Sequence, residues 1–310
     1  MESLQRIQSR LKTVRNIGKI TKAMEVVSAT KMRRSQEVAL KTRPYAYKVL
    51  ALLETIHKNV SYPSVFMETR PVKNTLVLVV SSDRELAGSF NSQVYRTMES
   101  VLEKDEYARK EDHNFLFAAV GKKAVKYISA KKGELQAQFS GFGDYARPEQ
   151  IDQLNNSIVA GFIKGKWDRV IAVSTHFRTT LKQDVISRQI LPVNFQKIRE
   201  TVKEMVPEYG KYSDVNGTDL NKEREVDYII EPSPKDVIDK IMPHLIKMEV
   251  YQLILEANAS EHSARMVAMK NASDNASDLS EDISLYYNKA RQAAITKELI
   301  ELTSTQNALN

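Results

Sequence analysis

From His244 to Leu309 the chain runs for 66 residues without a glycine or a proline. Turns need residues that break or reverse the backbone, so such a stretch can only be one very long helix. At 1.5 Å per residue it would reach about 99 Å, more than one compact core can cover. The other end behaves alike. Residues 1–57 hold a single glycine, Gly18, and a single proline, Pro44, and as a helix would span about 85 Å. Leu4, Ile7, Leu11 and Val14 step by three and four, the spacing of one apolar stripe, and the predicted stripe continues through Ile17, Ile20, Met24 and Val27. The small neighbours Ala23, Ser28, Ala29 and Thr30 would let a second helix come close. Near the other terminus Ala276, Leu279, Ile283, Tyr286, Ala290 and Ala293 repeat the same steps. Pro44 is expected to kink the first helix or break its ladder, and Pro243 to break the ladder of the second. That second helix is expected to start at Ser233 as N-cap, with Pro234 first in the helix and Asp236 in its first turn.

Between these arms the period changes. Thr75–Val80, Phe115–Val120, Leu135–Phe139 and Arg169–Val173 are short β-branched or apolar runs closed by turn residues, and read as strands. Gln189–Val193 and Val226–Ile230 are two further candidates. Helical stretches near 88–104, 121–131 and 148–164 fill the gaps, so the middle reads as an open, largely parallel α/β sheet. Three parts result: an N-terminal helix at 1–57, an α/β domain at 74–230 and a C-terminal helix at 233–310. Residues 197–225, charge-rich with Gly210 and Asn216-Gly217, read as an insertion in the domain. The predicted fold class is α/β plus a long antiparallel coiled coil, its two terminal helices flanking a Rossmann-like domain.

Charge is unevenly placed. The net is +7 overall, but residues 1–48 carry +9 and residues 233–310 carry −3. A basic arm of this kind is either a solvated helix face or a surface that meets nucleic acid, a membrane or an acidic protein. Chemistry is harder to find. The chain has no cysteine, which removes disulfides, thiolate metal sites and cysteine nucleophiles. It has no phosphate-binding glycine loop, no nucleophile elbow and no zinc-binding histidine pair. His57, His113, His176, His244 and His262 are scattered and read as surface or structural residues. No apolar run approaches the roughly 20 residues of a membrane span, and the start Met1-Glu2-Ser3-Leu4 shows no export signal. The best candidate for a small-molecule site is Ser81–Asn91, which follows a strand and opens a helix. There Asp83 and Asn91 would hold a ligand, or the Ser and Asp residues would simply cap the helix. Glu85 stands where a phosphate would dock, which counts against a nucleotide.

Arg10–Met32 (RLKTVRNIGKITKAMEVVSATKM) resembles the N-terminal helix of the gamma subunit of F-type ATP synthase. Glu261–Ala276 and Tyr287–Leu299 resemble the C-terminal helix of that family, and Ser81-Ser-Asp-Arg84 the start of its α/β domain. The resemblance covers nearly the whole chain in order. It implies a bacterial-type central shaft without catalysis of its own, coupling proton-driven rotation of the membrane ring to conformational cycling of the catalytic beta subunits. Implied partners are the alpha and beta subunits of the ring, the epsilon subunit and the membrane c-ring. No cofactor, metal, nucleic acid or direct membrane insertion is implied. The implied location is peripheral, on the cytoplasmic face of the bacterial plasma membrane. Carried over by motif, Arg291, Gln292 and Thr296 would contact a beta-subunit loop. Met24, with Lys31, Arg33 and Arg34, would face acidic levers of beta, and Arg265 would lie near Met24. The chain departs from the family pattern at Glu85, Ala87 and Ser89, in the length of 197–225, and in the polar tail Leu302–Asn310. Two competing readings are a nucleic-acid-binding coiled coil that uses the basic arm and an enzyme that uses the 81–91 loop.

Overall fold

The computed structural model describes residues 3–59, 64–143, 146–194, 231 and 233–309. The proposed insertion 197–225 and the strand Val226–Ile230 lie outside the described residues. Helix α1 (Leu4–Asn59) and a last helix, here α5 (Pro234–Leu309), bracket the chain. Between them come β1 (Asn74–Val80), α2 (Phe90–Lys104), β2 (Asn114–Val120), α3 (Lys122–Ala130), β3 (Glu134–Phe139), a short 3-10 turn (Pro148–Ile151), α4 (Asp152–Ile163), β4 (Arg169–Phe177) and β5 (Gln183–Leu191). The chain divides into two compact units: Met1–Ala29 with Arg265–Asn310, and Thr30–Ala264.

The second unit holds a five-stranded sheet of order β3-β2-β1-β4-β5, parallel except for β5, which pairs antiparallel with β4. Alternate residues of β1 feed two cores. Leu76, Leu78 and Val80 face α4 and the first half of α5, where Leu154, Ile158, Phe162, Leu245, Val250 and Ile254 are buried. Val77 and Val79 face α2 and α3, against Val94, Met98, Ala124 and Ile128. A strand buried on both sides needs no polar alternation, which is why its sequence is a continuous apolar run. Val38 and Ala39 of α1 pack against the first of these cores.

Among the described residues the predicted strands and helices lie at their expected places, with β4 and β5 longer than the sequence showed. Residues 183–188 read QDVISR and lack an apolar run because β5 is an edge strand, only partly buried over most of its length. It ends at Leu191 rather than Val193; Pro192 has no amide to offer a ladder. Neither proline ends its helix. α1 runs unbroken past Pro44, and Pro243 lies inside α5. Each removes one ladder donor; around Pro243 the buried Met242, Leu245 and Ile246 outlast that local loss. Ser233 caps α5 as expected: its Oγ accepts from the Asp236 amide at 3.2 Å and donates to the Asp236 carboxylate at 2.6 Å.

In the first unit the two helices run antiparallel, with Ile7 beside Ile283 and Gly18 beside Ala276. Their seam corrects the predicted stripe. It starts as expected at Ile7, Leu11 and Val14, but then passes through Gly18, Thr21 and Ser28, while Ile17, Ile20 and Val27 lie outside. Thr21 is 9 % exposed and Ile20 is 60 % exposed. A coiled-coil seam alternates steps of three and four, which leads from Val14 to Gly18 and Thr21. Following the next apolar residue to Ile17 slips the register by one position, about 100° around the helix. The same correction holds on α5. Ala276, Ile283 and Ala290 are on the seam, joined by Tyr287, whereas Leu279, Tyr286 and Ala293 are exposed.

Candidate functional site

The first unit offers a surface rather than a cavity. Its seam is small and polar at Gly18, Thr21 and Ser28, and a Cβ on Gly18 would stand 3.4 Å from that of Ala276. The helices therefore approach closely there. Thr21 and Ser28 turn their hydroxyls back onto carbonyls of their own helix, Ile17 and Met24, at 3.0 and 2.7 Å, and so hide a polar group inside the seam. The bulky residues that a seam would normally use are outside: Ile17, Ile20, Val26 and Val27 on α1, and Leu285, Ile295, Leu299 and Leu302 on α5. So much outward apolar surface on a helix pair marks a contact face for other chains.

The carried-over residues fall on both units. Arg291, Gln292 and Thr296 are exposed on α5, and the Thr296 hydroxyl donates to the Gln292 carbonyl at 3.0 Å. Met24 is half-buried. Arg265, in the same unit, is only 7 % exposed and so presents little of itself outward. Lys31, half-buried, and Arg33 and Arg34, exposed, belong to the other unit.

The 81–91 loop does neither thing expected of it. Asp83 Oδ1 accepts from the Lys122 amide at 3.0 Å and Oδ2 from the Gly141 amide at 2.8 Å. It thus ties the loop after β1 to the start of α3 and to the loop after β3. Asn91 is spent on Ser82, accepting from its amide at 3.1 Å and donating to its hydroxyl at 2.8 Å. α2 has Ser89 at its N-cap, with no side-chain cap bond. The acid predicted to cap α2 or hold a ligand is instead a brace for a different helix. Gly121 completes the junction. With φ +94° it sits so close that a Cβ would fall 2.3 Å from the Ser81 carbonyl oxygen, a place only glycine can occupy. Asp83→Ala, which orphans two amides, is expected to cost about 2 kcal/mol of stability in urea unfolding of the full chain.

Sequence reasoning missed the most elaborate polar structure in the chain, on α5 between Glu249 and Ser263, where fifteen consecutive residues are buried. Two polar stripes run along this stretch. Tyr251, Asn258 and His262 meet the segment after β3. The Tyr251 hydroxyl donates to the Ala146 carbonyl at 3.0 Å and the Asn258 amide to the Phe142 carbonyl at 2.6 Å, while His262 Nε2 lies 2.7 Å from the Gly143 carbonyl. On another side, Glu249, Gln252, Glu256 and Ser263 meet the β4–β5 hairpin. Glu256 Oε2 lies 2.7 Å from His176 Nδ1 and 3.7 Å from Arg188 Nη1, and Oε1 accepts from Gln252 at 3.3 Å. The Ser263 hydroxyl donates to the Thr180 carbonyl at 2.6 Å. Burial alone would raise the Glu256 pKa, but the hydrogen bond from His176 and the Arg188 charge outweigh it and hold the carboxyl below its ordinary value. Burial pushes Glu249 the other way, up to about 8, with Arg188 opposing.

Apolar packing tolerates rolling and sliding of a helix, whereas directed bonds on two sides do not. This stretch of α5 is therefore held against both motions relative to the sheet. The signal was present: polar residues at i, i+3, i+7 and at i, i+7, i+11 within a breakless helix. It became legible only once both faces were known to be buried, since a buried polar group must find a partner.

Residues 3–309 match the family model described as ATP synthase. The ATP synthase gamma chain of Roseiflexus castenholzii is 38% identical over 312 residues, spanning 100% of this chain and 99% of the relative. That of Cytophaga hutchinsonii is 33% identical over 313 residues, spanning 100% of both. Among solved structures, a chain of the Euglena gracilis mitochondrial ATP synthase (OSCP/F1/c-ring, rotational state 3) superposes with a TM-score of 0.63 at 16% identity, over 99% of this chain and 94% of that one. At that identity the likeness speaks for the fold.

Proposed function

Because this chain belongs to the ATP synthase gamma chain family, we propose that it is the central shaft of a rotary ATP synthase. It carries no catalytic step. It couples rotation of a membrane ring to the conformational cycle of catalytic beta subunits, in the direction of synthesis or hydrolysis. The observation that supports this best is the change along the seam: apolar at Ile7, Leu11, Val14 and Ile283, it turns small and polar at Gly18, Thr21 and Ser28, where Ile17, Ile20, Val26 and Val27 stand outside. Over that second stretch a coiled coil that existed for its own stability would place the bulky residues inside. A shaft surrounded by a ring of alpha and beta subunits needs the outward surface. Each orientation of an asymmetric shaft fits one beta conformation better than the others and shifts its population by that difference in affinity. The basic face of α1 at Lys31, Arg33 and Arg34 suits acidic loops. Arg291, Gln292 and Thr296 supply exposed donors and an acceptor for a beta loop, and Met24 and Arg265 mark the same contact region.

The epsilon subunit and the c-ring are the partners of the α/β domain in this reading. No helix among the described residues is long and apolar enough to cross a membrane. The gamma chain is a soluble subunit of a membrane-associated complex, placed in this reading on the cytoplasmic face of a bacterial plasma membrane. The nucleic-acid reading of the basic arm finds no support, since the relatives are gamma chains along their full length. The enzyme reading of the 81–91 loop fails on Asp83 and Asn91, both committed to internal bonds.

A tagged copy isolated from native membranes is expected to bring alpha, beta and epsilon subunits with it; recovery of the chain alone would overturn the proposal. In the assembled complex, Arg291→Ala combined with Gln292→Ala is expected to lower ATP synthesis about tenfold, the rate equivalent of one charge-assisted hydrogen bond. Assembly, read from the same isolation, is expected to be unchanged.

A further inference from the structure

Among the described residues, the cluster between α5 and the β4–β5 hairpin holds more acid than base. Two buried carboxylates, Glu249 and Glu256, feel one guanidinium, Arg188, whose side chain is 9% exposed, and Glu256 also meets the buried imidazole of His176. Glu256 has the surroundings of an anion: His176 Nδ1 at 2.7 Å, Gln252 at 3.3 Å, and the Arg188 guanidinium as a charge at 3.7 Å, beyond hydrogen-bond reach. Glu249, two turns earlier on the same face, has a buried Oε2 without any hydrogen-bond partner. A buried unpartnered oxygen is tolerable on a neutral acid and far more costly on an anion. Arg188 from β5 is the charged group that acts on Glu249; His176 from β4 and Gln252 and Glu256 from α5 complete the cluster through Glu256 among the described residues.

We propose that this cluster is a proton-dependent lock: a proton held on Glu249 lets Glu256 keep Arg188 and His176, and its release sets two buried anions against one guanidinium, loosening the hairpin from α5. Alkaline conditions then weaken one of the two polar grips on the helix and leave the other, at Tyr251, Asn258 and His262, intact. Burial pushes Glu249 up to about 8, which puts the release just above neutrality. The unfolded chain loses that proton at the ordinary carboxylate pKa. The stabilisation is therefore complete below about pH 4.5 and falls as pH rises to about 8, then levels off.

The test is thermal unfolding of the full chain between about pH 6 and about pH 9, beside Glu249→Gln. The wild-type midpoint is expected to drop with rising pH by on the order of 5 °C more than that of Glu249→Gln, which carries the neutral form permanently. Parallel curves for the two proteins would overturn the proposal. Infrared spectra of the wild-type chain give a readout that does not depend on a variant folding. The carbonyl stretch of a protonated carboxylic acid is expected at neutral pH and should vanish on passing about pH 8; its absence at neutral pH would also overturn the proposal. Glu256→Gln separates a proton lock from a merely structural acid. Freeing Arg188 to face Glu249 is expected to move loss of the band down by about one pH unit, and an unmoved titration would contradict the shared guanidinium.

Discussion

Gly161→Ala is expected to destabilise the α/β domain by about 3 kcal/mol, although alanine is the better helix former by about 1 kcal/mol. Gly161 lies in α4 directly beneath the only tryptophan of the chain, Trp167. A Cβ there would fall 1.9 Å from Cζ2 and 2.2 Å from Cη2 of the indole. The ring has nowhere to retreat. It is 4 % exposed, and its Nε1 donates to the Ile158 carbonyl at 3.0 Å. Moving it breaks that bond, orphans a buried donor and disturbs the turn held by Arg70, whose Nη2 donates to the carbonyls of Phe162 and Trp167 at 2.7 and 2.9 Å. Because there is one tryptophan, its fluorescence reports the event directly. Emission is expected to shift to the red in the folded variant, and urea unfolding to show the loss. An unchanged spectrum with wild-type stability would show that the indole does not pack on the glycine.

The second large effect is expected at Glu256. Glu256→Ala removes the carboxylate that His176 Nδ1 meets at 2.7 Å and that lies 3.7 Å from Arg188, and breaking a buried pair from one side costs about 3–5 kcal/mol. Glu256→Gln keeps the volume and a hydrogen-bond acceptor, and is expected to cost markedly less. Acid unfolding separates charge from shape. The folded-state pKa of Glu256 lies below its ordinary value, so its contribution is present above that ordinary value and lost as pH falls through the lowered one. Wild type is expected to lose this stability on the acid side, and Glu256→Gln to lose none of it. In the assembled synthase, the alanine variant is expected to keep its subunits but to couple rotation to synthesis poorly, because the helix can then roll against the sheet.

Much of the fold is legible in the chain because it depends on local repetition. The apolar runs Leu76–Val80 and Val170–Val173 read as strands, and the breakless arms read as helices. β5 was seen only at its end, since an edge strand carries no apolar run. The candidate site was legible in part. Met24, Lys31, Arg33 and Arg34 lie on α1 and Arg265, Arg291, Gln292 and Thr296 on α5, with Arg265 almost wholly buried. The seam slipped by one position, because Ile17, Ile20 and Tyr286 look like core and are surface. The 81–91 loop looked like a ligand cradle, yet Asp83 spends both oxygens on amides 39 and 58 residues away in sequence.

What the sequence determined by itself is whatever neighbouring residues can decide among themselves: helix where nothing breaks a period, strand where β-branched residues run, a basic arm and a more acidic one, and a family resemblance from end to end. Tertiary structure decided orientation and partnership. A helix stripe shifted by one residue turns by about 100°, and only the opposing helix selects which stripe is inside. A polar side chain in a buried helix is a liability until distant backbone or charge satisfies it. For Glu256, Tyr251 and Asp83 that partner lies tens of residues away, at a distance no local pattern can encode.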